Sequence, residues 1–293
     1  MPKQENLIFV INANYIGQFK VTFRSVADSH PGIGFHLHML ISRLSPEQCA
    51  DVSRFVTALG SDVTFYEIDD SLFEGLPKMG YDAGYTAYYK VLIPYYLAHL
   101  DRALYLDCDI IVRGDLMPLF RLPADTFLAA VADGKINRNR PEHVARIIGR
   151  QDVPYFNSGV LLFTFGDGSH MIPREELLRY MTEHRADIRW HDQDILNHFY
   201  ATDCTILDEK YNYVTTYCSI ADALLPLGRR SAVVVHYANW KPWKPDYIGK
   251  CYRLYRRYYR ACAGEAGVDF LQPRRLGAQL KLVKKYLCRG ARN

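Results

Sequence analysis

The 293-residue chain has no run of 18 consecutive apolar residues, so nothing in it predicts a helix that spans a bilayer. Its first residues, Met1-Pro2-Lys3-Gln4-Glu5-Asn6, lack the layout of a secretory leader and pass directly into an apolar stretch. Cysteine is sparse. The seven thiols (49, 108, 204, 218, 251, 262 and 288) are scattered and odd in number, and no two have zinc-ligand spacing. That excludes a disulfide scaffold and a zinc module, and predicts reduced thiols in a cytoplasmic protein. No internal repeat or low-complexity segment is present, which excludes a solenoid or a disordered tether. Acidic residues are missing from one end: none follows Asp269.

What is present is ordinary for a globular protein: 49% hydrophobic and 23% charged residues, enough for one large α/β domain or a domain with an appendage. Aromatics are plentiful at 13%, with 22 tyrosines, a supply suited to carbohydrate or membrane-interface contacts. The net charge of +4 is unevenly spread. From His236 onward 14 Lys and Arg face three Asp and Glu, whereas residues 1–235 carry 22 against 29. A mildly acidic body thus ends in a basic segment, which suits an anionic surface.

Apolar runs at Leu7–Ile11, Phe35–Ile41 and Val63–Ile68 predict strands. Helical spacing over Tyr15–His30 and a Ser45-Pro46 start running to about Leu59 predict the helices between them. That alternation implies an α/β fold with a parallel sheet, whose ligands sit beyond the carboxyl ends of the strands. Tyr85–Ile93 reads as a helix interrupted by Pro94, and 134–153 as a basic, mobile loop with a short helix. Strands are expected at Phe127–Val131, Tyr155–Phe163 and Val233–His236, with helices at 173–185 and from Trp190.

Between apolar flanks stands Tyr105-Leu106-Asp107-Cys108-Asp109-Ile110-Ile111-Val112. Two carboxylates in such a setting cost several kcal/mol each unless compensated. A divalent cation compensates them, and Mg²⁺ or Mn²⁺ prefers carboxylate and phosphate oxygens. Three more polar clusters close apolar runs: Phe156-Asn157-Ser158-Gly159-Val160, Asp192-Gln193-Asp194, and His236-Tyr237 with Lys241-Pro242-Trp243.

In this order and spacing the four clusters resemble glycosyltransferase family 8, the retaining nucleotide-sugar transferases, over about Leu7 to Trp243. The resemblance implies a GT-A fold, a Rossmann-like, mostly parallel sheet with helices on both faces. It implies that Asp107, Asp109 and His236 coordinate Mn²⁺, with Mg²⁺ the alternative, around the diphosphate of a UDP-sugar. Cys108 and Lys241 would border that diphosphate, Asn12, Asn14 and Tyr15 would hold uridine, and Lys90 stands where an Arg is usual. Asp133, Asn157, Asp192 and Gln193 would face the donor sugar. A hexose, galactose or glucose, would pass to a glycan or glycolipid acceptor by front-face attack, in cell-surface glycan or lipopolysaccharide synthesis. Two further positions depart from the family's pattern. Asn12 replaces the usual Asp, and the closing motif is one residue shorter than His-x-x-Gly-x-x-Lys-Pro-Trp and lacks its Gly.

Competing readings fit fewer residues. A haloacid-dehalogenase-like phosphatase also uses Asp-x-Asp, but Ile111 stands where that motif has Thr or Val, and the other clusters go unexplained. In a glycosidase the two carboxylates would stand farther apart than Asp-x-Asp allows. A degenerate domain that binds nucleotide-sugar without turnover is the remaining alternative.

Residues 1–245 are therefore expected to form the catalytic domain and 246–293 a basic, aromatic helical appendage. Beyond about residue 273, Leu276, Leu280, Val283 and Leu287 recur on one helical face beside Arg274, Arg275, Lys281, Lys284, Lys285, Arg289 and Arg292. An apolar stripe beside a basic one predicts a helix lying on an anionic membrane, peripheral to its inner face, with Tyr252–Arg260 extending the contact. Nothing else in the chain supports nucleic-acid binding.

Overall fold

The computed structural model describes residues 4–78, 84–166, 168, 170–215, 231–238, 241–245, 247, 251–271 and 277. The predicted apolar runs form β1 (Glu5–Asn12), β2 (Phe35–Ser42) and β3 (Asp62–Glu67). β4 (Arg102–Leu106) ends at the Asp-x-Asp and β5 (Ile110–Val112) follows it. Next come β6 (Leu128–Ala132), β7 (Phe156–Thr164), β8 (Cys204–Leu207), β9 (Tyr213–Val214) and β10 (Val234–His236). A seven-stranded sheet runs β3-β2-β1-β4-β7-β6-β8, and a three-stranded sheet runs β5-β10-β9. All neighbours in the large sheet are parallel except β7, which runs against both β4 and β6.

Both faces of this sheet are covered. Leu7, Phe9 and Ile11 pack on one side with Phe19 and Phe23, while Ile8 and Val10 join Tyr88, Tyr89 and Leu92 on the other. The period-two alternation of a strand buried on both faces accounts for the unbroken apolar runs. Helices α1 (Ile16–Ser29) and α2 (Pro46–Ala58) connect the first strands. α2 opens with a reciprocal capping box between Ser45 and Gln48. A 3-10 turn over Thr86–Leu92 leads into α3 (Ile93–Leu97). Pro94 therefore lies in the first turn of a helix rather than interrupting one, and there its missing N–H costs little.

After α4 (Met117–Phe120), the segment expected to be a loop with one short helix forms two helices, α5 (Gly134–Asn139) and α6 (Pro141–Ile148). Asp133 caps α5 by accepting from Ile136 N at 3.0 Å. α7 (Arg174–Glu183) and α8 (His191–Tyr200) follow.

The last described helix, α9 (Tyr252–Ala261), packs on α1. Its Tyr255 and Tyr258 belong to the same apolar cluster as Phe19 and Phe23, so the core continues past residue 245 without a break. Close approach needs Gly17: a Cβ there would lie 2.1 Å from the Gly267 carbonyl oxygen. Lys20, fully buried, pairs with Asp51 at 2.8 Å and Glu265 at 3.5 Å, tying α1 to α2 and to the segment after α9. Among the described residues no helix is long and apolar enough to cross a membrane. The predicted helix through Leu276, Leu280, Val283 and Leu287, with its basic residues, lies outside the described residues, as do Asn239 and Trp240 of the closing motif.

Candidate active site

The reversed strand builds the site. Because β7 runs against β4 and β6, its first residues lie where their last residues end. Asp107 N donates to the Gly159 carbonyl at 2.9 Å, and Asp133 N donates to the Tyr155 carbonyl at 2.8 Å. The β6–β7 register also slips, from Ala130 opposite Leu161 to Ala132 opposite Phe156. The extra residues of β7 bulge out of the ladder, as bulges beside functional sites do. They lie within the stretch Asn157-Ser158-Gly159-Val160, four residues set against the single Val131 of β6. In the smaller sheet Ile110 faces His236, and Tyr237 N donates to the Asp109 carbonyl at 2.9 Å. One end of the large sheet and one of the small thus meet at a cavity of about 420 Å³.

Asp107, Asp109 and His236 meet there, with potential ligand atoms all within 4.8 Å of one another. His236 Nε2 stands 3.3 Å from Asp109 Oδ1 and 3.7 Å from Asp107 Oδ2, while its Nδ1 bonds Asn212 Oδ1 at 2.9 Å. Two carboxylates and one imidazole nitrogen are a hard, mostly oxygen donor set, so the cluster fits a divalent cation. Burial works against the charge on Asp109, but Lys241 and His236 beside it outweigh that and hold its carboxyl far below the usual range. The Asp107 carboxylate is oriented by the Tyr105 hydroxyl and by Lys90, whose Nζ lies 2.9 Å from Asp107 Oδ1 and 2.9 Å from Asp192 Oδ2. Burial disfavours the Lys90 ammonium, yet these two carboxylates more than compensate and raise its pKa.

Opposite the Asp107–Asp109–His236 trio is a buried amide hub. Gln193 Oε1 accepts from Ser158 N at 3.1 Å and from Asn157 Nδ2 at 3.1 Å, and Gln193 Nε2 donates to Asp133 Oδ2 at 3.2 Å. Ser158 Oγ donates to Asp192 Oδ2 at 2.6 Å. Burial pushes the Asp192 carboxyl up, and Lys90 offsets this only in part. Beneath α8, Asp194 accepts from Tyr155 at 2.6 Å and lies 2.7 Å from His143 Nε2, clamping α6 to α8.

The cavity wall includes Tyr15, Lys90, Asp107, Cys108, Asp109, Asp133, Asn157, Asp192, Gln193, His236 and Lys241. Asn12 and Asn14 are not part of it. Asn12 Oδ1 accepts from Asn14 N at 3.0 Å, and its Nδ2 donates to Thr86, which does line the cavity. Asn12 therefore supports the wall through Thr86. The buried Cys108 thiol turns away toward the Val10 carbonyl. Three participants went unread in the sequence: Asn212 behind His236, Ser158 within the bulge, and Tyr105 on Asp107. Ser158 and Tyr105 lie inside the motifs themselves; Asn212 stands in a short connection without a recurrent pattern.

Comparison with known proteins is consistent with this geometry. The model of a family described as Glycosyl transferase family 8 matches residues 6–246. The chain is 26% identical over 258 residues to glycosyltransferase GlyF of Streptococcus pneumoniae, covering 87% of this chain and 61% of that protein. Against glycosyltransferase GlyA of the same organism the figures are 26% over 259 residues, 88% of this chain and 35% of that one. The chain thus spans from about a third to three fifths of these curated relatives. It is 27% identical over 275 residues to a lipopolysaccharide 1,2-glucosyltransferase of Escherichia coli, covering 85% and 78%. A solved galactosyltransferase, LgtC, in complex with donor and acceptor sugar analogues, superposes with a TM-score of 0.75 at 26% identity, over 86% of this chain and 94% of that one.

Proposed function

The chain belongs to glycosyl transferase family 8, and from that premise we propose that it moves a hexose, galactose or glucose, from a UDP-sugar to a hydroxyl acceptor with retention of configuration. The observation that carries this reading is the meeting of Asp107, Asp109 and His236 with the Gln193 hub in one cavity. The trio would hold Mn²⁺, or Mg²⁺ in its place. When bound, the cation supplies Lewis-acid stabilisation of the diphosphate leaving group. Lys241, at the same edge, adds a positive charge for the phosphates. Tyr15 and Thr86 border the side on which uridine would lie.

The hub supports front-face attack. Gln193 has its carbonyl oxygen engaged by Ser158 and Asn157 and is a poor nucleophile. Asp133 caps α5 with one oxygen and accepts from Gln193 with the other. Asp192 is tied to Lys90 and Ser158. With these carboxylates engaged, the acceptor oxygen itself forms the new bond to the anomeric carbon as the bond to phosphate breaks, and the departing phosphate oxygen takes the acceptor's proton. The acceptor would be a glycan or glycolipid, and the reaction would serve cell-surface glycan or lipopolysaccharide synthesis. The relatives named above support that setting by their own activities.

A cytoplasmic position at an anionic membrane surface completes the proposal. It is supported by the basic C-terminal charge and by α9, where Arg253, Arg256, Arg257 and Arg260 stand exposed on one helical face opposite buried Tyr255 and Tyr258.

The test is UDP release from a panel of UDP-sugars with Mn²⁺, with and without saccharide acceptors. Turnover should vanish with EDTA and in Asp109→Ala. Insensitivity to both would overturn the metal reading, and tight UDP-sugar binding without turnover would leave a binding domain.

A further inference from the structure

The orientation of the buried amides is fixed by two backbone N–H groups. Gly159 N donates at 3.0 Å to one end of the Asn157 carboxamide, so that end is the oxygen. The same oxygen lies 2.8 Å from Asn212, whose atom there must be the amide nitrogen. The other end of Asn212 is therefore its oxygen, and it meets His236 Nδ1 at 2.9 Å. Only a donor can make that contact, so Nδ1 carries a proton, and in the neutral ring Nε2 is then the bare nitrogen facing Asp107 and Asp109. Ser158 N fixes Gln193 in the same way, through its Oε1. Asn157, Asn212 and His236 are all buried, so water does not offer these groups an alternative partner.

From this chain of donors we infer that Asn212 is a positioning residue: it sets the tautomer of His236 and links that ring, through Asn157, to the sugar-facing Gln193. Without Asn212 the proton would be drawn to Nε2, which has Asp109 Oδ1 at 3.3 Å as acceptor, and the ring would present N–H where a ligand nitrogen is needed. Gly159 completes the arrangement. A Cβ there would lie 2.3 Å from His236 Cε1 and 2.7 Å from Nδ1, so only glycine lets the ring seat against β7.

The inference rests on the proposed metal role of His236, and its test separates the two. In metal-free, full-length protein, ¹⁵N-detected NMR of the neutral His236 ring should show Nδ1–H and bare Nε2. Asn212→Leu should shift the ring toward Nε2–H and weaken Mn²⁺ binding, measured by calorimetry without nucleotide, by about 10–100-fold. Gly159→Ala should weaken it at least as much. Asn212→Asp keeps an acceptor for Nδ1–H and should restore Mn²⁺ affinity. It loses the donor to Asn157, so KM for the UDP-sugar should rise while affinity for UDP is unchanged. An Asn212→Leu protein with the wild-type tautomer and Mn²⁺ affinity within about twofold of wild type would overturn the inference. Failure of wild type to bind Mn²⁺ would instead overturn the metal reading, with the NMR result still deciding the role of Asn212.

Discussion

Lys241 reaches across 132 residues of sequence to place its ammonium on Asp109 Oδ2. The contact offsets the charge of a buried carboxylate of the Asp107–Asp109–His236 trio, and it holds Lys241 at the spot from which it would reach a diphosphate. The two roles predict opposite effects of Lys241→Ala. Affinity for UDP should fall roughly 10–100-fold, about 1.5–3 kcal/mol for a charged hydrogen bond. Mn²⁺ affinity without nucleotide should hold or improve, because Asp109 loses a competing cation. Calorimetric titrations of each ligand check this, and a parallel loss of both would contradict it.

Lys90 is the only cation bridging Asp107 and Asp192 among the described residues. Lys90→Met would leave two carboxylates facing each other with little solvent, and stability should drop by roughly 3–5 kcal/mol. Lys90→Arg keeps the charge and should recover most of that loss. Urea midpoints of the three proteins decide it. A fall of under about 1 kcal/mol in Lys90→Met would mean the bridge contributes little.

His38 lies buried between Asn6 and Tyr66, bonding them at 3.1 and 3.0 Å. Burial first, then the charges of His36 and His99, hold its pKa down to about 4. In the unfolded chain it returns to ~6.5, so between these values the unfolded state binds the extra proton. Stability should therefore be full above pH 6.5 and fall toward pH 4, by roughly 1–2 kcal/mol between pH 7 and 5. Thermal melts at pH 7, 6 and 5 should show the decline in wild type and a flatter profile in His38→Gln. An equally steep profile in the variant would assign the loss elsewhere.

The α9 arginines give a surface prediction. Replacing Arg253, Arg256, Arg257 and Arg260 together by Gln should weaken co-sedimentation with anionic vesicles at low salt, at roughly 1 kcal/mol per charge. Turnover on a soluble acceptor should be unaffected, since none of the four lines the cavity. Equal binding by the variant would place the lipid contact elsewhere.

Retention of configuration is checked by NMR of the glycoside product. An α-linked product from an α-linked UDP-sugar is expected, and a β-linked one would exclude front-face attack.

Much of this site was readable because its residues close apolar runs. Asp107, Asn157 and His236 each stand where a strand buried on both faces meets polar sequence. Asn212 does not. It sits between a 3-10 turn and the two-residue β9, with no hydrophobic period on either side to mark it. β8 was missed for a related reason: two of its four residues are exposed, so no continuous apolar run announces it. Only one short helix was expected within 134–153, because both helices there are short and polar. Their start signals were nonetheless present, in the Asp133 cap and in Pro141 at the head of α6. Asn12 was matched to uridine by the family resemblance; what packing adds, and the sequence does not show, is that its amide donates to Thr86.

The backward course of β7 has one more consequence. In an all-parallel sheet every polar residue at the ligand edge comes from a separate loop, and each loop can lengthen or shorten alone. Here three consecutive residues touch the end of β4, the end of β6, the start of α8 and the ring of His236. An inserted or deleted residue between Phe156 and Val160 would shift all four contacts together. On the proposed reading, donor preference would be tuned by side chains carried by α5 and α8, with this tripeptide as the fixed gauge against which they are set.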